Sequence, residues 1–113
     1  MSQWGSEYIF SKIFIMIDVV IRKASNPKKK FEAVFNNHTI IPFGATGYED
    51  FTTHRDEQRR QNYLKRHGGE DWNRGNIMSP VWLSRYILWE KPTLREAVNN
   101  ANAMHKDVHF HLK

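Results

Sequence analysis

Two groups of cationic side chains carry the clearest chemistry in this sequence. Lys28, Lys29 and Lys30 close an acid-free stretch over residues 22–30, while Arg55, Arg59 and Arg66 recur at the spacing of one helical face. Clustered ammonium and guanidinium groups displace counterions from a polyanion, so both groups are suited to phosphate contacts. A solvated loop and a solvated helix surface are the alternative interpretations.

An aromatic side chain and a glycine turn add to this pattern. Trp72 stands in a polar stretch between two predicted helices, where an indole either stacks on a base, enters a groove or covers the core from outside. Gly44-x-x-Gly47 allows close approach of a backbone or a phosphate, although a plain turn has the same signature. The candidate nucleic-acid-binding residues are therefore Lys28, Lys29, Lys30, Arg55, Arg59, Arg66 and Trp72.

Composition agrees with an anionic partner. The chain has 113 residues, which fits one domain, and its 17 Lys+Arg against 12 Asp+Glu give a formal net charge of +5. An apolar share of 40% is enough for a core. The absence of cysteine excludes disulfides, thiolate zinc sites and cysteine nucleophiles.

Enzymatic chemistry finds little support. The acids Glu49-Asp50 and Glu70-Asp71 are neighbours in sequence, so their side chains diverge on any regular element and do not form a catalytic pair. His54-Arg55-Asp56 spells the catalytic triplet of protein kinases, but no glycine-rich nucleotide loop precedes it and no Asp-Phe-Gly follows. We therefore predict a protein that is not an enzyme, with no cofactor and no small-molecule substrate.

Three histidines near the carboxyl end, His105, His109 and His111, invite comparison with a metal site. No carboxylate stands at a fitting spacing, and Val108, Phe110 and Leu112 alternate with these residues. We interpret the segment as a closing strand and predict no metal site.

The amino-terminal half shows the period-2 alternation of β-strands. Apolar β-branched residues recur at alternate positions over 9–21, and two further alternating runs, 31–35 and 39–43, each follow a turn. Three strands with short connections predict an antiparallel meander. Pro42 cannot donate to a ladder, so the third strand should lie at an edge or end there.

Helices should occupy the second half. Thr53-x-x-Asp56 has the form of a capping box and predicts one basic helix that ends at His67 before two glycines. Ser79 followed by Pro80 predicts the start of a second helix. The apolar stripe of that helix consists of Trp82, Tyr86 and Trp89.

A capping box at Thr93 predicts a third helix that runs to about His105. We therefore expect an α+β single domain, with a three- to four-stranded antiparallel sheet packed against about three helices, over residues 16–113. Residues 1–15 form either an N-terminal extension or an extra strand, and Met16 is an alternative start. The longest apolar run contains Lys12 and Asp18 and is shorter than the ~20 residues of a membrane span, so we predict no membrane segment and no secretion.

One set of motifs resembles a known family. The motifs are Phe43-Gly44-Ala45-Thr46-Gly47-Tyr48, Thr52-x-His54-Arg55-Asp56, and Ser84-Arg85-Tyr86-Ile87-Leu88-Trp89-x-Lys91-Pro92-Thr93-Leu94. They resemble small, basic, uncharacterised proteins of large double-stranded DNA viruses of amoebae and algae, over roughly residues 17–98. Thr46 replaces the usual lysine of the turn, and Glu70-Asp71 are acidic where the family is more basic. The resemblance implies a viral setting, in the virion or the host-cell cytoplasm, and brings no activity.

These observations predict a small basic viral protein that binds double-stranded DNA without sequence specificity, or packages it, through phosphate contacts. The alternative is a virion structural or protein-interaction module that forms a homodimer and has no nucleic-acid role. The long first strand and its edges would favour strand pairing between chains.

Overall fold

A four-stranded sheet forms the frame of the domain. The structure is a computed structural model that describes residues 16–68 and 76–113. The strands are β1 (Ile17–Lys23), β2 (Lys29–Phe35), β3 (Thr39–Ala45) and β4 (Val108–Leu112), in the spatial order β3-β2-β1-β4. The α+β class is confirmed, and so are the meander and the edge position of β3. The predicted extension or extra strand over residues 1–15 lies outside the described residues.

The fourth strand joins the sheet in an unpredicted direction. β4 pairs in parallel with β1, whereas β1–β2 and β2–β3 are antiparallel, so the sheet is mixed rather than antiparallel throughout. The chain leaves β3 at one edge, crosses the sheet through the helices and returns beside β1 at the other edge. A parallel pair needs such a long crossover, and the helical half of the chain supplies it.

The helical half of the chain packs against the sheet, with its direct contacts made by residues 80–88 and 94–104. They are α1 (Phe51–His54), α2 (Glu57–Arg66), α3 (Pro80–Leu83) and α4 (Leu94–Met104), and α3 continues directly into a π-helical turn over Ser84–Leu88. We call α3 and this turn together the aromatic helix. Two of the three predicted caps are confirmed: the Ser79 hydroxyl accepts from the Trp82 N–H, and the Thr93 hydroxyl accepts from the Glu96 N–H. None of the described helices is long and apolar enough to cross a membrane.

The prediction of one basic helix that starts with a Thr53–Asp56 capping box is wrong. The capping box is formed by Asp50 and Thr53, and it starts the short helix α1. Arg55 then adopts a left-handed conformation with φ 55°, which ends α1 and turns the chain. Asp56 caps α2, accepting from the N–H groups of Gln58 and Arg59. Arg55 therefore does not share a helical face with Arg59 and Arg66.

The core lies between the sheet and the aromatic helix. Trp82 is 1% exposed and stacks on Phe110 of β4, with ring centroids 5.7 Å apart, while Leu83 and Ile87 are fully buried. Burial of side chains of this size stabilises a fold by about 1.5–3 kcal/mol each. Trp89, the outermost residue of the predicted stripe, is half-buried and stacks on Tyr63 of α2 at 4.1 Å. The stripe thus anchors α2 as well as the sheet.

Buried charges are paired. Glu32 of β2 is 2% exposed, and its carboxylate accepts from the Ser25 N–H at 3.1 Å and from Arg22 Nε at 2.8 Å. These bonds, led by that of the Ser25 backbone, hold the pKa of Glu32 below its usual range. Glu90 likewise bridges Arg60 and Arg85.

An asparagine covers the outer edge of β4. The Phe110 N–H donates to Asn102 Oδ1 at 2.7 Å, and Asn102 Nδ2 donates to the Phe110 carbonyl at 2.9 Å. Both backbone groups of Phe110 that face away from β1 are therefore bonded within the chain. This bonding protects the edge of β4 from pairing with another strand.

Candidate nucleic-acid interface

A buried ion pair lies at the centre of the cationic surface. Lys30 Nζ lies 2.7 Å from Asp50 Oδ2, and the two side chains are 18% and 3% exposed. Asp50 also caps α1, because its carboxylate accepts from the N–H and the hydroxyl of Thr52. Lys30 is therefore engaged in attaching the start of α1 to β2. A cleft opens on each side of this pair.

The first cleft, which we call the lysine cleft, has a volume of about 800 Å³. It lies between the β1–β2 hairpin and the first residues of α1 and α4. Its lining includes four cations, Lys23, Lys29, Lys30 and Arg55, against a single carboxylate, Asp50. Because Asp50 already pairs with Lys30, the other three cations give the cleft a positive potential.

Backbone geometry fixes Arg55 at the wall of this cleft. Its left-handed backbone is held by the hydrogen bond from its N–H to the Phe51 carbonyl, at 3.0 Å. Its Nε donates to the Pro92 carbonyl at 3.1 Å, which orients the guanidinium plane. No carboxylate of the described residues pairs with Arg55. A pre-oriented guanidinium loses less freedom when it binds a phosphate than a mobile side chain does.

The second cleft, which we call the arginine cleft, has a volume of about 480 Å³ and lies between the Gly44–Gly47 turn, α2 and the aromatic helix. Arg59 and Arg66 of α2 line it together with Lys30. Arg59 Nη1 lies 3.2 Å from Glu49, with side chains 48% and 62% exposed. Exposed pairs of this kind contribute about 0–1 kcal/mol, so a phosphate can displace Glu49 at little cost.

The structure brings most of the predicted residues to these two clefts. Lys29, Lys30 and Arg55 line the lysine cleft, and Lys30, Arg59 and Arg66 line the arginine cleft. Lys28 is exposed on the hairpin turn, outside both linings. Trp72 lies outside the described residues.

Two residues that line the clefts, Lys23 and Tyr48, were not among the candidate residues predicted from the sequence. Lys23 lines the lysine cleft, and the signal for it was its place in the acid-free run over residues 22–30. Tyr48 lines the arginine cleft with 74% of its surface exposed, directly after Gly47 at φ 88°. An aromatic ring presented on a turn beside cations is a stacking surface for an unpaired base.

The carboxyl-terminal histidines separate into two environments. His105 ends α4, with its ring 5.5 Å from that of Trp82, whereas His109 and His111 stand on β4 beside Asp18 of β1. The sequence places no carboxylate at a fitting spacing from these histidines, but the fold brings Asp18 to them from the opposite end of the described chain. The hydrogen bond with His111 holds the pKa of Asp18 below its usual range.

Comparison with protein families yields a match over part of the chain. A model described as a family of unknown function (DUF5754) matches residues 19–67. That segment contains the meander from the third residue of β1 onward, the Gly44–Gly47 turn, α1 and α2, but neither the aromatic helix nor β4. No curated protein and no solved structure matches the chain.

Proposed function

We propose that this protein binds double-stranded DNA without sequence specificity, through phosphate contacts along its two cationic clefts. The observation that carries the proposal is that three cations converge on the lysine cleft. Lys23 and Lys29 come from the β1–β2 hairpin, and Arg55 comes from the junction between α1 and α2. These residues come from elements distant in sequence, and within the described residues no carboxylate pairs with them. The motif resemblance implies a viral setting, in which non-specific phosphate contacts would suit the packaging of a DNA genome.

The chemistry of the lining favours phosphate over bases. Hydroxyl groups of the lysine cleft are already engaged: the Thr46 hydroxyl donates to the Pro27 carbonyl, and the Thr53 hydroxyl donates to the Asp50 carbonyl. Recognition of base edges needs bidentate partners such as amides or arginines placed in a groove. The lysine cleft offers mainly ammonium groups and one oriented guanidinium, which contact the backbone and carry no sequence information.

The test is a fluorescence-anisotropy titration of a labelled random-sequence duplex at several salt concentrations. We compare the wild type with Lys29→Gln/Arg55→Asn, which removes two charges from the lysine cleft, and with Arg59→Gln/Arg66→Gln in the arginine cleft. Asparagine is chosen at position 55 because it tolerates the left-handed backbone there. The matched control is Lys106→Gln/Lys113→Gln, which removes two exposed charges outside both cleft linings.

The wild type should bind with an affinity that falls log-linearly with salt. Each phosphate contact contributes roughly −0.9 to that slope, so loss of two contacts should reduce its magnitude by about 2. Lys106→Gln/Lys113→Gln should leave the slope unchanged. Equal slopes for the control and both cleft variants, or no binding at low salt, would refute the proposal.

A homodimer without a nucleic-acid role is the second candidate, and the edge of β3 favours it. Ile40 on this edge strand is 47% exposed, while the edge of β4 is occupied by Asn102. A dimer formed by β3 pairing should be seen by sedimentation velocity and should dissociate in Ile40→Lys. A monomer at all concentrations would exclude this candidate and leave the DNA result unaffected.

A further inference from the structure

We propose that Asp18, His109 and His111 form a binding site for Zn²⁺ on the face of the sheet opposite the helices. In this site His111 Nε2 lies 2.9 Å from Asp18 Oδ1, and His109 Nδ1 lies 3.5 Å from the same oxygen. One ligand atom from each residue lies within 4.8 Å of the other two. The proposal is independent of DNA binding, because none of these residues lines either cleft.

Strand register creates this ligand set. The parallel pairing of β1 with β4 places Asp18 opposite His109, and His111 follows two residues later on the same face of β4. Between them, Phe110 points into the core and is 1% exposed. The three ligands therefore project from two hydrogen-bonded strands, which is a more rigid support than a loop.

The distances fit a small tetrahedral ion. Zinc binds imidazole nitrogen and carboxylate oxygen at about 2.0–2.2 Å, which separates two ligand atoms of a tetrahedral site by roughly 3.3 Å. The separations of His111 Nε2 and His109 Nδ1 from Asp18 Oδ1, 2.9 and 3.5 Å, lie on either side of that value, so small side-chain rotations would admit the ion. The side chains of Asp18, His109 and His111 are 51%, 59% and 40% exposed, which leaves the fourth position accessible to water.

A hydrogen bond alone explains only part of the arrangement. The pairing of His111 with Asp18 at 2.9 Å accounts for those two residues. His109 stacks on His111 with ring centroids 4.9 Å apart and an interplanar angle of 17°, while its Nδ1 is too far from Asp18 for a strong hydrogen bond. A divalent cation would give this second imidazole a direct bond and would join both rings to one carboxylate.

The ligand types select a transition metal. Two neutral imidazoles and one carboxylate suit Zn²⁺ and its neighbours in the transition series, whereas Mg²⁺ and Ca²⁺ prefer an all-oxygen shell. Ligation would also link β1 to β4 through side chains, in addition to their backbone ladder. Binding of the metal should therefore stabilise the folded state.

The experiment uses the full chain without a polyhistidine tag, freed of metal by dialysis against a chelator. Isothermal titration with ZnCl₂ is compared with MgCl₂, and Co²⁺ serves as a spectroscopic substitute whose visible absorption reports the coordination geometry. The variants are His109→Asn, His111→Asn and Asp18→Asn. The matched control is His38→Asn, an exposed histidine on the β2–β3 turn.

We expect one Zn²⁺ per chain, no saturable Mg²⁺ binding, and a rise in the melting temperature with zinc. Replacement of a residue that only supports a metal ligand typically weakens metal binding by about 10–100-fold. Each ligand variant should therefore weaken Zn²⁺ binding by at least that factor, while His38→Asn should bind Zn²⁺ like the wild type. His109→Asn is decisive, because His109 is well exposed and its replacement should leave the fold intact by circular dichroism. Unchanged zinc binding in a folded His109→Asn protein, or no saturable binding by the wild type, would overturn the proposal.

Discussion

Gly44, near the end of β3, and Gly47, in the turn that follows, offer a matched pair for testing the packing of the aromatic helix. Gly44 and Gly47 both have positive φ, 77° and 88°. A Cβ built on Gly44 would lie 2.8 Å from Leu88 Cδ1 and 3.4 Å from Lys30 Cβ, whereas a Cβ on Gly47 would meet nothing within 4 Å. The same substitution thus produces strain alone at one position, and strain with steric overlap at the other.

The magnitudes follow from this difference. An alanine in a left-handed conformation destabilises the folded state by about 1–2 kcal/mol. Replacing glycine also lowers the conformational entropy of the unfolded chain, which stabilises the folded state by about 0.4–1 kcal/mol. Gly47→Ala should therefore reduce the free energy of unfolding by roughly 1 kcal/mol. Gly44→Ala adds overpacking against Leu88, which is 2% exposed and cannot move away easily, so it should cost about 1–3 kcal/mol more.

Urea denaturation followed by tryptophan fluorescence and far-UV circular dichroism measures both values. A second background, Leu88→Val, removes the overlapping Cδ1 atom, so the excess cost of Gly44→Ala over Gly47→Ala should shrink there by at least half. Equal destabilisation by the two alanines in the wild-type background would refute the reasoning. An excess that survives in Leu88→Val would show that Leu88 is not its cause.

Two buried carboxylates give further predictions. Asp50→Asn keeps a capping side chain but removes the charge that faces Lys30, so it should lower the free energy of unfolding in urea titrations by about 1–3 kcal/mol. Asp50→Ala also loses the cap and should lower the free energy of unfolding by about 1 kcal/mol more. Glu32 has a lowered pKa in the folded state, because the Ser25 N–H and Arg22 stabilise its anion. Its contribution is therefore complete above the unfolded pKa and is lost as the pH falls through the folded pKa. The difference in the free energy of unfolding between wild type and Glu32→Gln should be constant above about pH 5 and should shrink below it. A difference that stays independent of pH down to about pH 3 would contradict this account.

Local signals in the sequence predicted much of the fold. The strands over 31–35 and 39–43, the caps Ser79 and Thr93, and the aromatic stripe depend on neighbours within a few residues, and the structure contains all of them. The alternation itself does not extend to burial in β2, where residues 32–35 are all buried. Pro42 likewise indicated the edge position of β3, since a proline cannot donate to a ladder. These features need no knowledge of distant parts of the chain.

The features that sequence reasoning missed depend on distant partners. The first helix begins at Asp50 rather than at Thr53, so it ends at Arg55. Asp50 is held in place by Lys30, which lies twenty residues earlier in the sequence. The parallel register that brings Asp18 to His109 and His111 depends on the crossover of the whole helical half. Likewise, Lys30 looked like a free cation, because its buried partner lies on another element.

The parallel β1–β4 pair also constrains how the protein folds. The meander β1–β2–β3 closes two short loops, but contact between Asp18 and His111 joins residues 93 positions apart. Closure of a long loop carries a larger entropic cost, and sheets with non-local pairings fold more slowly than local ones. Val108 and Phe110 enter the core only with that closure, so until then Trp82 lacks the ring on which it stacks. Docking of β4 is thus the step that completes the core, and a nascent chain that lacks β4 exposes apolar surface at the free edge of β1.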